Sequence, residues 1–196
     1  MKKIFFLLAA TVIIILPGCG IVSKPIVQIP LPAPESENTS TITQPTLSNT
    51  SDTEFQNNLK NKTTQEQAEL TLVHYFDLLN QKEYVKTTIY NGHGYETLQN
   101  WNPDTNPTNY AELIKYGCEN NGWQCLKIKK IISKEEINPN EFKFVVQFLN
   151  NDGTLFERGP CCGSTEAEMP TKNKFEFIVK KIDNIFKVIT SPVYIP

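Results

Sequence analysis

Arginine is nearly missing from this chain: one residue of 196, Arg158, carries a guanidinium. Bidentate recognition of phosphate or carboxylate is therefore not its main task. Positive charge is not in excess either, with 19 Lys and Arg against 21 Asp and Glu and a net charge of −2. No basic field exists to attract nucleic acid or anionic headgroups. The two histidines stand in no His-Glu-x-x-His arrangement, and Gly-x-Ser-x-Gly, phosphate-loop and Cys-x-x-Cys patterns are missing too. The cysteines after Cys19 follow Cys118-x6-Cys125 and Cys161-Cys162 with no histidine close by, which is not a zinc spacing. Neither a metal nor a cofactor is expected. The longest apolar run, Ile4 to Leu16, spans about 20 Å as a helix, too short for a hydrocarbon core of about 30 Å.

What that run does carry is a targeting layout. Lys2 and Lys3 precede it, and Leu16-Pro17-Gly18-Cys19 follows it. A basic start, a short greasy middle and a small residue before a cut describe a secretory signal over residues 1–18. The cysteine directly after that small residue resembles the lipobox of bacterial lipoproteins. In that family cleavage precedes the cysteine, whose sulfur carries a diacylglycerol. The resemblance implies a lipid-anchored, extracytoplasmic protein of the bacterial cell envelope attached through Cys19, with the membrane as its first partner. Two or more acyl chains suffice for stable anchoring. The alternative is an ordinary leader with an incidental cysteine, since Pro17 is unusual inside a lipobox. Loss of Lys2 and Lys3 would take the net charge from −2 to −4.

Residues 19–62 read as a tether. Pro25, Pro30, Pro32, Pro34 and Pro45 stiffen it, a Ser/Thr/Asn stretch follows, and Phe55 is its one aromatic. Such a segment buries too little apolar surface to offset its ordering entropy. A flexible chain of this length reaches roughly 35–40 Å. It is either a stalk that holds a domain off the membrane or a tail without a role.

The texture changes at residue 63. Thr63-x-x-Glu66 fits a capping box, and Ala68, Leu72, Tyr75, Phe76 and Leu79 recur at helical spacing. A second helix is expected over Glu83–Tyr90, ending at Asn91-Gly92, and a third over Pro107–Tyr116, capped by Asn106. After Gly122 the period falls to two. One strand is expected over Leu126–Ser133, and Phe142, Phe144, Val146 and Phe148 alternate along the next. Asn150–Gly153 reads as a turn and Thr154–Arg158 as a return strand. Phe175, Phe177 and Val179 begin a further strand that turns at Asp183-Asn184 into a last one carrying Phe186 and Val188. Helices first and antiparallel strands after predict an α+β domain over residues 63–196.

The stretches Ala68–Tyr90 and Lys174–Pro192 resemble the nuclear transport factor 2-like superfamily, also called cystatin-like or SnoaL-like. The first is similar to the family's long opening helix and short second helix, the second to its closing hairpin with a terminal Ser-Pro. The resemblance implies a cone: a curved antiparallel sheet wrapped on the long helix, with a pocket at the wide end. Many members bind without catalysis, and others are isomerases or dehydratases. The isomerases use an aspartate base with a tyrosine and an acid in an apolar pocket. Residues of those types here are Asp77, Tyr75, Tyr90 and His74, but no family position maps onto them and no catalytic residue is carried over. Asp77 and His74 read as solvated residues on a polar helix face, and His93, between Gly92 and Gly94, as a surface residue of a flexible loop. Trp101, in the polar stretch 100–109, is the aromatic to suspect at a pocket mouth, though packing against the helices explains it as well.

Four cysteines beside Cys19 in an exported chain point to disulfides. Cys118 and Cys125 bracket a turn signal, Asn121-Gly122, and can close a local loop. If the strands run straight, Cys125 and Cys161 lie more than about 20 Å apart, beyond the reach of a bridge. Cys118–Cys125 is then the expected pair. Cys161 and Cys162 are left as a vicinal bridge or as thiols in a Gly-Pro/Gly turn. A loop folding back after Gly159 would allow crossed pairs. The functional expectation is a non-catalytic module that binds a small apolar ligand or an envelope partner. A small isomerase or hydrolase using Asp77 or Tyr90 is the rival. A cavity filled by Phe and Leu would leave partner docking.

Overall fold

The computed structural model describes residues 50–196; the leader, Cys19 and most of the expected tether lie outside them. Helices come first, as α1 (Thr50–Leu59), α2 (Thr64–Asn80), α3 (Tyr84–Tyr90), α4 (Glu96–Trp101) and α5 (Tyr110–Glu119). Strands follow, as β1 (Trp123–Gln124), β2 (Lys127–Asn138), β3 (Glu141–Leu149), β4 (Phe175–Ile182), β5 (Ile185–Val188) and β6 (Val193–Tyr194). Strands β2-β3-β4-β5 form an antiparallel meander, and β1 pairs with β6 in a separate two-stranded ribbon. The class is α+β.

The core follows from two periodicities that meet. On α2, Leu72, Phe76 and Leu79 recur on one face. On β3, alternate residues Phe142, Phe144, Val146 and Phe148 are buried, and β4 adds Phe175, Phe177 and Val179. The long helix packs on this sheet face. Phe76 meets Phe148 and Phe177 edge-on, with centroids 4.8 and 4.9 Å away. Thr63 and Glu66 form the reciprocal capping box that fixes where α2 begins. Strand β2 is one edge of the four-stranded sheet. It is largely exposed, rich in lysine and broken by three register shifts, features that discourage edge-to-edge pairing.

Several expectations are corrected. Part of the expected disordered tether is helix α1, because Phe55 and Leu59 sit one turn apart and pack inward: Leu59 is buried and Phe55 lies against the core. The third helix starts at Tyr110, three residues past Pro107, and Asn109 rather than Asn106 caps it by accepting from Glu112 N. The stretch 100–109 begins inside a helix, α4, with Leu98 fully buried. Residues 154–158 form no strand: Leu155 bridges only to Leu149, and Arg158 only to Lys172. Phe156 alone turns inward there.

Candidate functional site

Polar residues of α2 and α3 build two small clusters around the histidines. In the first, the Tyr75 hydroxyl lies 3.4 Å from Asn91 Oδ1 and 3.3 Å from His93 Nε2. The His93 Nδ1 faces the Gly94 carbonyl at 3.1 Å. A carbonyl only accepts, so Nδ1 carries the hydrogen and Nε2 is an acceptor. The single hydroxyl hydrogen of Tyr75 therefore lies between two acceptors. Asn91 in turn donates to the His93 carbonyl at 3.0 Å, and the ring of His93 stands edge-on to Trp123 at 5.1 Å. Burial pushes the His93 pKa down, opposed by the Gly94 carbonyl, and burial pushes the Tyr75 phenol far up. His93 is thus no loose surface residue; Gly92 lets the loop fold in, since a Cβ there would meet Ile189 at 2.6 Å. Both ring nitrogens are occupied and Tyr75 is fully buried, so neither has a free proton-transfer atom.

In the second cluster, His74 stacks on Phe55 at 3.9 Å and meets Tyr90 edge-on at 5.1 Å. Asp52 approaches His74 Nε2 at 3.6 Å, and Gln56 donates to the Tyr90 hydroxyl at 3.1 Å. His74 is half-buried under α1 rather than solvated. Asp77 is half-buried and forms no side-chain hydrogen bond among the described residues. The aspartate, tyrosine and acid of an isomerase site are not brought together: Tyr75 serves one cluster, Tyr90 the other, and Asp77 neither.

Between α2 and the sheet the interior is filled by Phe76, Phe142, Phe144, Phe148, Phe177 and Leu79, each at most 1 % exposed. Open space lies outside, around β6. Glycine makes this possible. Gly122 holds φ +80°, and a Cβ there would sit 2.0 Å from the Ile195 carbonyl oxygen. Its absence lets Ile195 N bond to Gly122 O at 3.0 Å and seats Tyr194 opposite Trp123. Gly117 does the same for α5, since a Cβ would meet the Trp123 ring at 2.7 Å.

A groove of about 1010 Å³ lies between the C-terminal end of α2, the start of α3, the end of α5 and β6. Tyr84, Trp101, Trp123 and Tyr194 give it aromatic walls, and Asn120, Asn121 and Gln124 supply amides. Tyr84 donates to Glu119 at 3.1 Å, and Lys82 pairs with the same carboxylate at 3.2 Å. Burial and Glu119 push the Tyr84 pKa up to about 12, and Glu119 is held below its usual range by Lys82. Trp101 and Tyr194 stack at 5.1 Å, both partly exposed. The same pair also lines a second cavity of about 410 Å³ that reaches His93, so it forms a partition between the two. The suspicion placed on Trp101 leads to this groove. Tyr194, Trp123 and the asparagines went unnoticed in the sequence. The signal was available only as an aromatic after Ser191-Pro192 and one after Gly122.

Cys118 and Cys125 form a disulfide at the groove floor, with Cα atoms 5.6 Å apart. Cys161 and Cys162 are free thiols in a turn. The segment that carries them returns on itself, with Arg158 bridged to Lys172. Tyr194, Ile195 and Pro196 border both the groove at Cys125 and a third cavity that Cys161 lines. Among the described residues no group of three or more His, Cys, Asp or Glu side chains converges as a metal site, and no helix is long and apolar enough to cross a membrane. No family model and no curated protein matches the chain.

Proposed function

We propose that this protein is a lipoprotein of the bacterial cell envelope, anchored outside the cytoplasm through acylated Cys19, whose nuclear transport factor 2-like domain docks a partner without catalysis. The signal layout of residues 1–19 supports export, and the proline-rich segment after it supports a stalk. The order of long helix, short helix and closing hairpin supports the cone-type fold. The observation that carries the binding reading is the groove at β6. It pairs large rigid aromatic surface with the exposed amide of Asn120, the composition of a recognition surface, while the interior position of a cone-fold active site is filled by phenylalanine. The rival isomerase reading needs an aspartate and tyrosine in one site, whereas Tyr75 and Tyr90 belong to different clusters and Asp77 hydrogen-bonds in neither.

Two measurements test this. Labelled palmitate should enter the wild-type chain and not Cys19→Ala; equal labelling of both, or of neither, removes the anchor. A photo-crosslinking amino acid at Asn120 should give a discrete adduct in intact cells, while the same probe at Ile137, exposed on β2, should not. Adducts of equal yield at both positions would remove the groove as the docking surface.

A further inference from the structure

The segment 158–172 carries a chemistry that partner docking does not use. Cys162 Sγ donates to Cys161 Sγ at 2.9 Å. Left-handed backbone at Cys162 (φ 60°) and Gly163 (φ 88°), with Ser164 N bonded to Cys161 O at 2.9 Å, turns the two adjacent thiols toward each other. Cys161 is half-buried against a cavity of about 320 Å³, and Cys162 is exposed. That cavity is also lined by Arg158 and the Met169 side chain. Arg158 is the one arginine of the chain. Its Nε is buried without a hydrogen-bond partner, and no ion pair reaches it among the described residues. The nearby carboxylates are committed elsewhere: Glu166 to Thr171, Glu168 to Thr165 and Glu157 to Asn173. A buried, unpartnered Nε on a half-buried arginine that lines the same cavity as Cys161 leaves a donor for an anion.

We infer that this cavity binds a small carboxylate-bearing disulfide and that Cys161 and Cys162 reduce it by thiol–disulfide exchange. Arg158 holds the carboxylate. The Cys161 thiolate attacks the nearer sulfur of R–S–S–R, a Cys161–S–R bond forms, and the first thiolate RS⁻ leaves and takes up a proton. Cys162, losing its proton to solvent, then attacks Cys161 Sγ and expels the second RS⁻. The sum is two cysteine thiols plus R–S–S–R giving one Cys161–Cys162 disulfide and two R–SH, a two-electron transfer with the substrate as oxidant. Cys161 is the first nucleophile because it, and not Cys162, lines the cavity. The contact with Cys161 raises the pKa of Cys162. Exposure of Cys162 lets it resolve that intermediate.

The test uses the full chain in detergent, with the Cys118–Cys125 bond intact and residues 161 and 162 reduced, against dithiodiglycolate and the uncharged bis(2-hydroxyethyl) disulfide. Each rate is divided by that of free cysteine. Wild type should release two thiols per disulfide and end with a Cys161–Cys162 bond, with the normalised rate at least about tenfold higher for the dicarboxylate, the size of a charge-assisted contact. Cys162→Ser should stop at a mixed disulfide on Cys161, and Cys161→Ser should form none there. Arg158→Gln should bring the ratio of the two rates close to one. Should Cys162→Ser fail to fold, wild-type thiol release and the rate ratio still decide. Equal normalised rates in wild type, an adduct first formed on Cys162, or no exchange beyond that of free cysteine would each overturn the inference. None of these outcomes touches the groove or the anchor.

Discussion

His74 and His93 are the two histidines of this chain, and each ends up beside a tyrosine, yet they do different work. His93 is closed: Gly94 and Tyr75 occupy both nitrogens, and no carboxylate contributes to its pKa shift. His74 is half-open: it is sandwiched between Phe55 and Tyr90, with Asp52 just beyond hydrogen-bond distance. The first is a fastener inside the domain, tying α2 to the loop between α3 and α4 that pairs with Val188 of β5. The second is a docking plate on which α1 rests. Burial lowers the pKa of both. For His74 the carboxylates of Asp52 and Asp77 oppose it, while Lys86 adds to it. A polar group fully satisfied inside a fold is costly to disturb; one at a movable contact is cheap.

The contrast can be broken most forcefully at Tyr75. Tyr75→Phe removes the only donor that Asn91 Oδ1 and His93 Nε2 share, and should cost about 1–3 kcal/mol in denaturant melts. A loss below about 0.5 kcal/mol would mean that water replaces the hydroxyl. On the other side, Phe55→Ala strips the stack from His74. About 1–2 kcal/mol is expected, concentrated in α1: hydrogen exchange should rise over Thr50–Leu59 and leave β3 and β4 unchanged. Exchange rising equally through the sheet would make α1 part of the core.

Acid sharpens the comparison. A histidine with folded pKa below its unfolded value of about 6.5 takes up more protons when unfolded, so stability is complete above that pH and falls as pH drops through the window below it. Thermal unfolding followed between about pH 7.5 and 5 should show that loss. NMR of the imidazole protons should show His74 titrating ahead of His93, because Asp52 supports the charge on His74 alone. The reverse order would refute the distinction. The smallest effect belongs to Asp52→Asn. A partly exposed pair at this distance contributes about 0.2–1 kcal/mol; the substitution should lower the His74 pKa further and leave His93 where it was.

The dry half of the fold was readable because its signal is periodic. Phe142 through Phe148 alternate, α2 repeats on one face, and both patterns became core. The turn at Asp183-Asn184 was equally plain, with both residues at positive φ joining β4 to β5. What stayed hidden depends on contacts between distant parts of the chain. Helix α1 has two inward residues and a polar remainder, so locally it resembles tether. His93 looks flexible between two glycines until Tyr75, eighteen residues earlier, reaches it. The groove needs β1 beside β6, two two-residue strands that carry no period at all. The fold-back after Gly159 rests on single bridges, such as Arg158 to Lys172, which no alternation announces.

The pairing of Trp123 with Tyr194 has a kinetic meaning. Contacts between neighbouring helices close short loops and form early, whereas this ribbon joins positions far apart in the chain and must await the meander between them. The aromatic wall is therefore among the last parts of the domain to assemble. A nascent molecule can hold its phenylalanine core and still lack the aromatic groove, so that acquiring the β1·β6 ribbon is a separate, later event than closing the core.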